Sequence, residues 1–379
     1  MQSIIEKNKM WIDSTWEKVD KKLSQKAIKS RNKLPSTSKN GVHDDCSDRP
    51  DWWTNGFWGG MMWLMYEATG NIEYRKTAER SEQLLDKAFE NFKGLYHDVG
   101  FMWHILSGAS YRLTGDLSSC NRNLYAAASL FSRYNVDGEF ISAWNWDCEE
   151  YSIIDCLMNI PLLYWASNEI GQDRFKRIAM KHMDMTIRDH IRPDGSVNHI
   201  VVHEMDRVGV KEVKAGQGYS SDSSWSRGVA WAVYGSVISY IYAGKKEYLE
   251  AAKRCADYFI TECKKTEYLP LIDFKAPQVP VLYDSTAGVI TACGLLEIAK
   301  YVSKEESEKY AQEAINLLRA CDEKFCNYDD NEDCLVLMGS GRYPRDEADL
   351  DSVHVPVIYA DFFFVESLCK LKERKFLIW

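Results

Sequence analysis

Proline is scarce in this sequence, with 9 among 379 residues. Because proline lacks the backbone N–H and interrupts helices, its scarcity favours a chain built mainly of helices. No apolar run approaches the ~18 residues that a membrane-spanning helix needs. Residues 1–22 are charged from Glu6 onward and lack the apolar core of a secretory signal. We therefore expect a cytoplasmic protein without membrane partners.

Paired cysteine motifs are also missing. The 11 cysteines form no C-x-x-C pair, and Cys156, Cys255 and Cys293 stand inside apolar runs. This pattern disfavours a zinc site or a disulfide framework and indicates buried, reduced thiols. The motifs H-E-x-x-H, G-x-S-x-G, the P-loop and G-x-G-x-x-G are absent as well. Metal-dependent, esterase, NTPase and dinucleotide-binding functions therefore have no sequence support.

Positive charge is in deficit. The 47 Lys and Arg residues are outnumbered by 56 Asp and Glu, a net charge of −9. This balance disfavours nucleic acid as a partner, because binding to phosphates needs a basic surface. Aromatic residues are abundant instead, with 13 Trp and 21 Tyr. They indicate either an aromatic core or a site that stacks on flat ligands.

The hydrophobic pattern has the period of about 3.6 residues expected of helices along most of the chain. Apolar segments alternate with charged, amphipathic ones, which predicts about twelve helices. The predicted helices cover residues 3–29, 56–69, 72–92, 99–113, 117–133, 151–170, 173–190, 226–242, 245–263, 285–302, 305–324 and 358–372. Four pairs are separated by glycines suited to the left-handed end of a helix. These are Gly70, Gly115, Gly171 and Gly244.

Six helical hairpins with apolar inner and charged outer members predict an all-α fold, an (α/α)6 barrel, with residues 1–379 as one domain. An open helical solenoid is the alternative, but the irregular spacing of the repeats disfavours it. The longest loops all precede apolar helices, so a closed barrel would gather them at one mouth. They are 30–55, 134–150, 191–225, 264–284 and 325–357. Loops that share one face commonly carry function.

Asp155 is the first candidate for chemistry, because it interrupts the otherwise apolar segment 152–160. Burial disfavours a charged carboxylate and raises its pKa, which predicts a general acid that is protonated near neutral pH. A salt bridge or a helix cap is the alternative. Pro161 should restart the helix and direct Asp155 toward the mouth. Asp98 could supply a second carboxylate, as glycoside cleavage commonly requires, although its position alone favours an ordinary helix cap.

The segment 217–228 is rich in small and polar residues and precedes another apolar helix. Within it, Trp225 could stack on a sugar, and Arg227 could bind a carboxylate through two hydrogen bonds. The alternative is a helix capped by Ser224 or Ser226, with Trp225 in the core.

Several segments together carry a resemblance to a known family. They read DWWTNGFWGG at 51–60, HDVGF at 97–101, IDCLMNIPLL at 154–163, WSRG at 225–228, and DSTA at 284–287 running into TACGLLE at 291–297. Taken in this order, they resemble the unsaturated glucuronyl hydrolases of glycoside hydrolase family 88. The resemblance extends over nearly the whole chain and implies the same barrel that the helix pattern predicts.

The resemblance also implies an activity. Such enzymes release a 4,5-unsaturated uronic acid from the non-reducing end of lyase-generated oligosaccharides, here most simply of the glycosaminoglycan type, without a metal or organic cofactor. It implies that Asp155 is the acid/base and Asp98 the second essential carboxylate. Hydration of the double bond by Asp155 and a route assisted by the substrate's 2-hydroxyl both stay open. The implied substrate contacts are Trp53, His97, Trp144, His199, Gln217, Trp225, Arg227 and Trp231.

The loop at 339–345 matches the family only loosely. Ser340, Arg342 and Arg345 could bind a sulfate or carboxylate of the reducing-end sugar there, or the arginines could simply balance nearby acidic residues. Three other functions stay open. An unsaturated rhamnogalacturonyl hydrolase would share the fold, a sugar epimerase would favour a pair of histidines, and a non-catalytic repeat scaffold would expose an apolar groove.

Overall fold

The computed structural model describes residues 1–146 and 148–379. Thirteen α-helices lie within these ranges. They are α1 (Gln2–Lys7), α2 (Lys9–Lys29), α3 (Phe57–Thr69), α4 (Ile72–Leu85), α5 (Ala109–Thr114), α6 (Leu117–Phe131), α7 (Pro161–Ile170), α8 (Arg174–Met185), α9 (Ser226–Ala243), α10 (Lys246–Lys264), α11 (Ser285–Ile298), α12 (Lys304–Lys324) and α13 (Ile358–Leu371). A π-helix, Gly100–Gly108, leads directly into α5.

The apolar and charged helices form two concentric layers. In the inner layer, α3 packs against the π-helix, which packs against α7, and α9, α11 and α13 continue the ring. α13 then packs back against α3 and closes it. The outer helices α4, α6, α8, α10 and α12 each cover the inner segment that precedes them, while α2 contacts α13. The closed ring confirms the (α/α)6 barrel and excludes the open solenoid.

The residue pattern explains this layering. Every residue of α11 and of α13 is buried, including the polar ones, as expected of helices enclosed on all sides. The glycines predicted at the turns are confirmed. Gly70, Gly115, Gly171 and Gly244 end α3, α5, α7 and α9 with φ angles of 73°, 76°, 66° and 71°, which a residue without a Cβ adopts without strain.

The helix predicted at 151–170 is wrong in its first half. Tyr151–Ile153 is a β-strand, Ile154–Met158 is a 3₁₀-helix, and α7 begins only at Pro161. An apolar run of this length is equally compatible with a buried strand or a helix, and its pairing with a distant strand decides between them. Pro161 does restart the helix, because its fixed φ suits the first helical position.

In the described parts of the loops there are seven short strands. They are β1 (Ser38–Lys39), β2 (Val42–His43), β3 (Tyr134–Asn135), β4 (Phe140–Ile141), β5 (Tyr151–Ile153), β6 (Ile200–His203) and β7 (Val210–Lys214). Strands β5, β6 and β7 form an antiparallel sheet, with Ser152 opposite Val201. Just beyond this pairing, the backbone N–H of Ile154 donates to the carbonyl of His199 at 3.1 Å. The sheet therefore holds Asp155 and His199 side by side at the mouth.

Two further sequence expectations concern the protein's surroundings. Cys156, Cys255 and Cys293 are buried free thiols, as predicted. In the described part of the chain, no helix combines the length and the apolar character needed to cross a membrane.

Candidate active site

A compact cavity of about 200 Å³ opens where the loops meet. Seven of its lining residues are ones that the sequence singled out: Trp53, His97, Asp98, Trp144, Asp155, Gln217 and Arg227. The fold thus brings together two carboxylates, a histidine, an arginine and two tryptophans from five separate segments of the chain. The sequence analysis missed three other lining residues, Trp52, Tyr96 and Ile153. Each lies within two residues of a predicted one, which is the signal that could have found them.

Asp155 lies directly after β5 and faces His199. The Oδ1 atom of Asp155 is 3.5 Å from Nε2 of His199, and among the described residues neither buried atom has a hydrogen-bond partner. Nδ1 of His199 accepts the backbone N–H of Gln217 at 2.8 Å. A neutral imidazole has one N–H, so its proton must lie on Nε2, directed at Asp155.

The expectation that Asp155 has a raised pKa is wrong. Burial does raise the pKa of this carboxyl, but His199, His97 and Arg227 together outweigh it and hold the pKa below its ordinary value. These groups come from distant segments of the chain, so the apolar neighbours of Asp155 in sequence did not indicate the direction of its pKa shift. Asp155 is therefore a carboxylate in the free enzyme at neutral pH.

His97 and Asp98 form a second pair. Nδ1 of His97 donates to the carbonyl of Ala143 at 2.7 Å, and its Nε2 lies 3.1 Å from Oδ1 of Asp98. The helix-cap alternative for Asp98 is wrong, because no side chain caps the π-helix. Burial works to lower the pKa of His97, but the carboxylates of Asp98 and Asp155 more than compensate, and the pKa is raised. The pair thus favours a protonated imidazole beside the cavity.

This pair has a testable pH dependence. The pKa of His97 should lie above its ordinary value of about 6.5, and Asp98→Asn should lower it, because burial would then dominate. A raised folded-state pKa stabilises the protein fully below the unfolded-state pKa, and that contribution is lost as the pH rises through the folded-state value. The measurement is an NMR titration of the imidazole nitrogens, combined with unfolding free energies across the same pH range.

The control in that experiment is His190, whose pKa burial lowers to about 4. It should be unaffected by Asp98→Asn. A wild-type His97 that titrates at or below its ordinary value would contradict the proposed pair.

Arg227 is a buried, fixed positive charge. Its Nη1 donates to Asp284 at 2.7 Å and to the carbonyl of Ser340 at 2.5 Å, and its Nη2 donates to the carbonyl of Gly341 at 2.8 Å. Its guanidinium also lies 4.7 Å from the ring of Trp225. Arg227 is thus held in one position at the cavity wall, with its charge paired to Asp284.

The four tryptophans that the resemblance implies as substrate contacts do not all face the cavity. Trp53 and Trp144 line the cavity. Trp225 is 2% exposed and packs behind His199 with ring centroids 4.1 Å apart, so it supports that histidine instead of presenting an open face. The substrate contact that the resemblance implies for Trp231 is wrong. Its fully buried ring packs in the barrel core against Phe101.

The alternative for the segment before α9 is confirmed in one part and wrong in the other: Trp225 is buried in the core, but neither Ser224 nor Ser226 caps the helix. Trp225 itself precedes the first residue of α9, and no side chain caps that helix.

The loop at 339–345 does not contribute a side chain to the lining of the cavity. Ser340 is buried and donates its hydroxyl to the carbonyl of Tyr283 at 2.6 Å, so it is not available to a ligand as predicted. Arg345 donates to the carbonyl of Gly216, and Arg342 lies 3.6 Å from Asp349. The Arg342 contact agrees with the alternative in which the arginines balance nearby acidic residues, whereas the Arg345 side chain contacts a backbone carbonyl.

A group of metal-binding residue types also occurs away from the cavity. His43, Cys334 and Asp361 are buried and close enough to one another to hold a cation. The ammonium group of Lys22, however, donates to the backbone carbonyl of Cys334 at 2.7 Å. Its positive charge opposes a cation at that place, so we assign no metal site there.

Comparisons with known proteins identify the family to which this chain belongs. The sequence model of Glycosyl Hydrolase Family 88 matches residues 26–241. The chain is 33% identical over 335 residues to the unsaturated glucuronyl hydrolase of Bacillus sp. GL1, covering 86% of this chain and 88% of that protein. The crystal structure of an unsaturated glucuronyl hydrolase from Bacillus sp. GL1, an enzyme responsible for the degradation of glycosaminoglycan, superimposes on this chain with a TM-score of 0.85. The two sequences are 30% identical, and the superposition covers 94% of this chain and 97% of the other.

A second solved structure contains a ligand. It is an unsaturated glucuronyl hydrolase variant from Streptococcus agalactiae in complex with dGlcA-GalNAc6S, with a TM-score of 0.80, 25% identity, and coverage of 97% and 94% of the two chains. Two independent lines, the family match over more than half of the chain and a relative 33% identical over most of it, lead to the same assignment. This chain belongs to glycoside hydrolase family 88.

Proposed function

We propose that this glycoside hydrolase removes a 4,5-unsaturated uronic acid from the non-reducing end of short, glycosaminoglycan-type oligosaccharides. The observation that carries the proposal is the placement of Asp155 and Asp98 in one compact cavity beside Arg227. The disaccharide bound to the Streptococcus agalactiae enzyme supports the same substrate class.

The charges of the cavity fit an anionic sugar. Arg227 and a protonated His97 are the cations that can contact the uronic carboxylate, although each also contacts a carboxylate of the protein, Asp284 and Asp98 respectively. The whole protein is acidic at −9. Trp53 and Trp144 offer aromatic faces to the ring of the sugar. Recognition therefore depends on local groups and not on long-range attraction, which the net charge opposes.

The reaction begins at the double bond. The unsaturated ring is a vinyl ether, so a proton delivered to C4 leaves positive charge shared by C5 and the ring oxygen. Asp155 delivers this proton, and its carboxylate then takes a proton from the water that adds at C5. The resulting hemiketal opens, and the glycosidic bond breaks. In a route assisted by the substrate's 2-hydroxyl, Asp155 delivers the same proton. The 2-hydroxyl of the sugar, and not water, then attacks first and gives an epoxide-like intermediate, which water opens afterwards.

The low pKa of Asp155 in the free enzyme fits this scheme. A substrate carboxylate bound near Arg227 and His97 adds negative charge to the cavity and offsets the positive charges of these two side chains. Nearby negative charge raises the pKa of a carboxyl group. Binding thus promotes the protonated form of Asp155 that the first step requires. Asp98, held by His97, is placed to bind the sugar hydroxyls.

The test follows the ultraviolet absorbance of the conjugated double bond. Incubation with unsaturated chondroitin, hyaluronan or heparin disaccharides should remove the band. Loss of the band with rhamnose-linked fragments alone would favour the rhamnogalacturonyl alternative. An unchanged band with all of these substrates would overturn the hydrolase proposal. The epimerase and scaffold alternatives predict that unchanged band, and the family assignment already disfavours them.

The setting of the enzyme is part of the proposal. Buried free thiols such as Cys156, Cys255 and Cys293 are typical of a reducing compartment, which supports a cytoplasmic location. The contacts of α13 with α2 and α3 support residues 1–379 acting as one domain.

A further inference from the structure

Asn159 connects the two chain segments that carry Asp98 and Asp155. Its side chain is fully buried. Its Oδ1 accepts the backbone N–H of Phe101 at 2.8 Å. Its Nδ2 donates to Oδ1 of Asp98 and to the backbone carbonyl of Asp155, both at 3.3 Å. One amide thus contacts both carboxylate-bearing segments.

The chemistry of these contacts requires an amide in one orientation. The N–H of Phe101 can only donate, so it must meet the amide oxygen. The carboxylate of Asp98 and the carbonyl of Asp155 only accept, so they must meet the NH₂ group. Neither a carboxylate nor an apolar side chain of this size offers one acceptor and two donors. Asparagine satisfies all three partners.

Close packing fixes the same contact. A Cβ atom on Gly100 would lie 2.6 Å from the Cα of Asn159, so the two backbones approach as closely as glycine allows. Gly100 also begins the π-helix that follows Asp98, and π-helices are frequently found at functional sites. The segment carrying Asp98 therefore cannot shift without displacing Asn159.

We propose that Asn159 is a positioning residue that fixes the separation and orientation of the Asp98 and Asp155 carboxyl groups. This inference rests on the proposed roles of those two residues. Both Asn159 and His97 contact the same oxygen of Asp98, Oδ1. The other oxygen, Oδ2, is thereby directed away from both contacts and is the one offered to a substrate hydroxyl.

The experiment compares Asn159→Asp with Asn123→Asp. Asn123 is also fully buried, and it contacts the same π-helix through Nδ1 of His104, at 3.2 Å. Asn159→Asp keeps the acceptor for Phe101 but replaces the donors with a negative charge beside Asp98. We expect kcat/KM to fall by about 10²-fold, mostly in kcat, because small misplacements of reacting groups have effects of this size. Asn123→Asp should keep wild-type kcat/KM in its folded fraction.

The pH profile separates positioning from general damage. At low pH the introduced carboxyl becomes protonated and regains a donor for Asp98. The deficit of Asn159→Asp relative to wild type should therefore be smaller at about pH 5 than at about pH 8. If this variant does not fold, Asn159→Ser, which offers one hydroxyl in place of the amide, is expected to fold and to lose about tenfold in kcat/KM.

The outcomes are distinct. If a folded Asn159 variant has wild-type kcat/KM and Asp155→Asn is inactive, this inference is overturned but the proposed function is not. A deficit independent of pH and equal to that of Asn123→Asp would overturn it as well. Full activity in Asp155→Asn would overturn the proposed roles of the carboxylates, and this inference with them.

Discussion

Asp155→Asn is expected to abolish turnover while leaving the protein folded. The amide has nearly the same shape but can neither donate a proton to C4 nor accept one from water. General acid–base catalysis contributes about 10²–10⁴-fold to rates, and here one group serves in both steps. We expect kcat/KM to fall by at least about 10³-fold, measured as the rate at which the absorbance of the conjugated double bond disappears.

The effect of Asp155→Asn on stability should be small. The contact between Asp155 and His199 is long, at 3.5 Å, whereas breaking a buried ion pair costs about 3–5 kcal/mol. Because the pKa of Asp155 is lowered, its ionised form makes a modest stabilising contribution above the unfolded-state pKa. That contribution is lost as the pH falls below about 4 through the folded-state pKa. The two unfolding free energies should therefore converge in acid.

Asp222→Asn is the matched control for Asp155→Asn. It changes an exposed carboxylate in the loop 191–225 whose hydrogen-bond donor is Ser220, at 2.6 Å, and it should leave both activity and stability unchanged. If Asp155→Asn remains active on the unsaturated disaccharides, the assignment of Asp155 as the acid/base is wrong. If it instead loses stability by several kcal/mol across the neutral range, Asp155 is mainly a structural residue.

The largest loss of stability is expected from Asp284→Asn. Asp284 and Arg227 form an ion pair of 2.7 Å in which their side chains are 0% and 2% exposed. Removing one partner leaves the other charge buried and unpaired, which costs about 3–5 kcal/mol. Asp284 also accepts the hydroxyl of Thr286 at 2.6 Å and thereby secures the start of α11. The free energy of unfolding in urea measures the loss.

Activity should fall in the same variant, because Arg227 would no longer be held at the cavity wall. The control is Asp116→Asn, which changes another helix cap, at α6, where the carboxylate accepts the N–H of Ser118 at 3.0 Å without a buried arginine. Asparagine caps helices as well as aspartate does, so this control should retain its stability. Near-wild-type stability in Asp284→Asn would contradict this prediction, because it would show that other groups balance the buried charge of Arg227.

The helices and their turns could be predicted because their signals are local. The apolar period and glycines such as Gly70 and Gly115 depend on residues only a few positions apart. The segment beginning at Tyr151 was predicted wrongly because its structure depends on pairing with β6, about fifty residues away. The π-helix at 100–108 was not distinguished from an α-helix, since both bury the same apolar residues.

The candidate site shows the same division. The resemblance identifies most of the residues that line the cavity. It does not indicate how deeply each residue lies in the barrel, so it implies a substrate contact for both Trp53 and Trp231. The pKa of Asp155 depends on His97, His199 and Arg227, which only the folded chain places around it. The position of Asn159 inside a quoted motif gave no indication of its three hydrogen bonds.

The closure of the ring between α13 and α3 has a consequence for folding. These helices lie about three hundred residues apart, and such long-range contacts slow folding. Arg227 similarly needs Asp284 and Gly341, which are synthesised much later. A growing chain thus exposes the apolar faces of α3 and α11 until its last helix arrives, and we expect it to depend on chaperones for soluble expression.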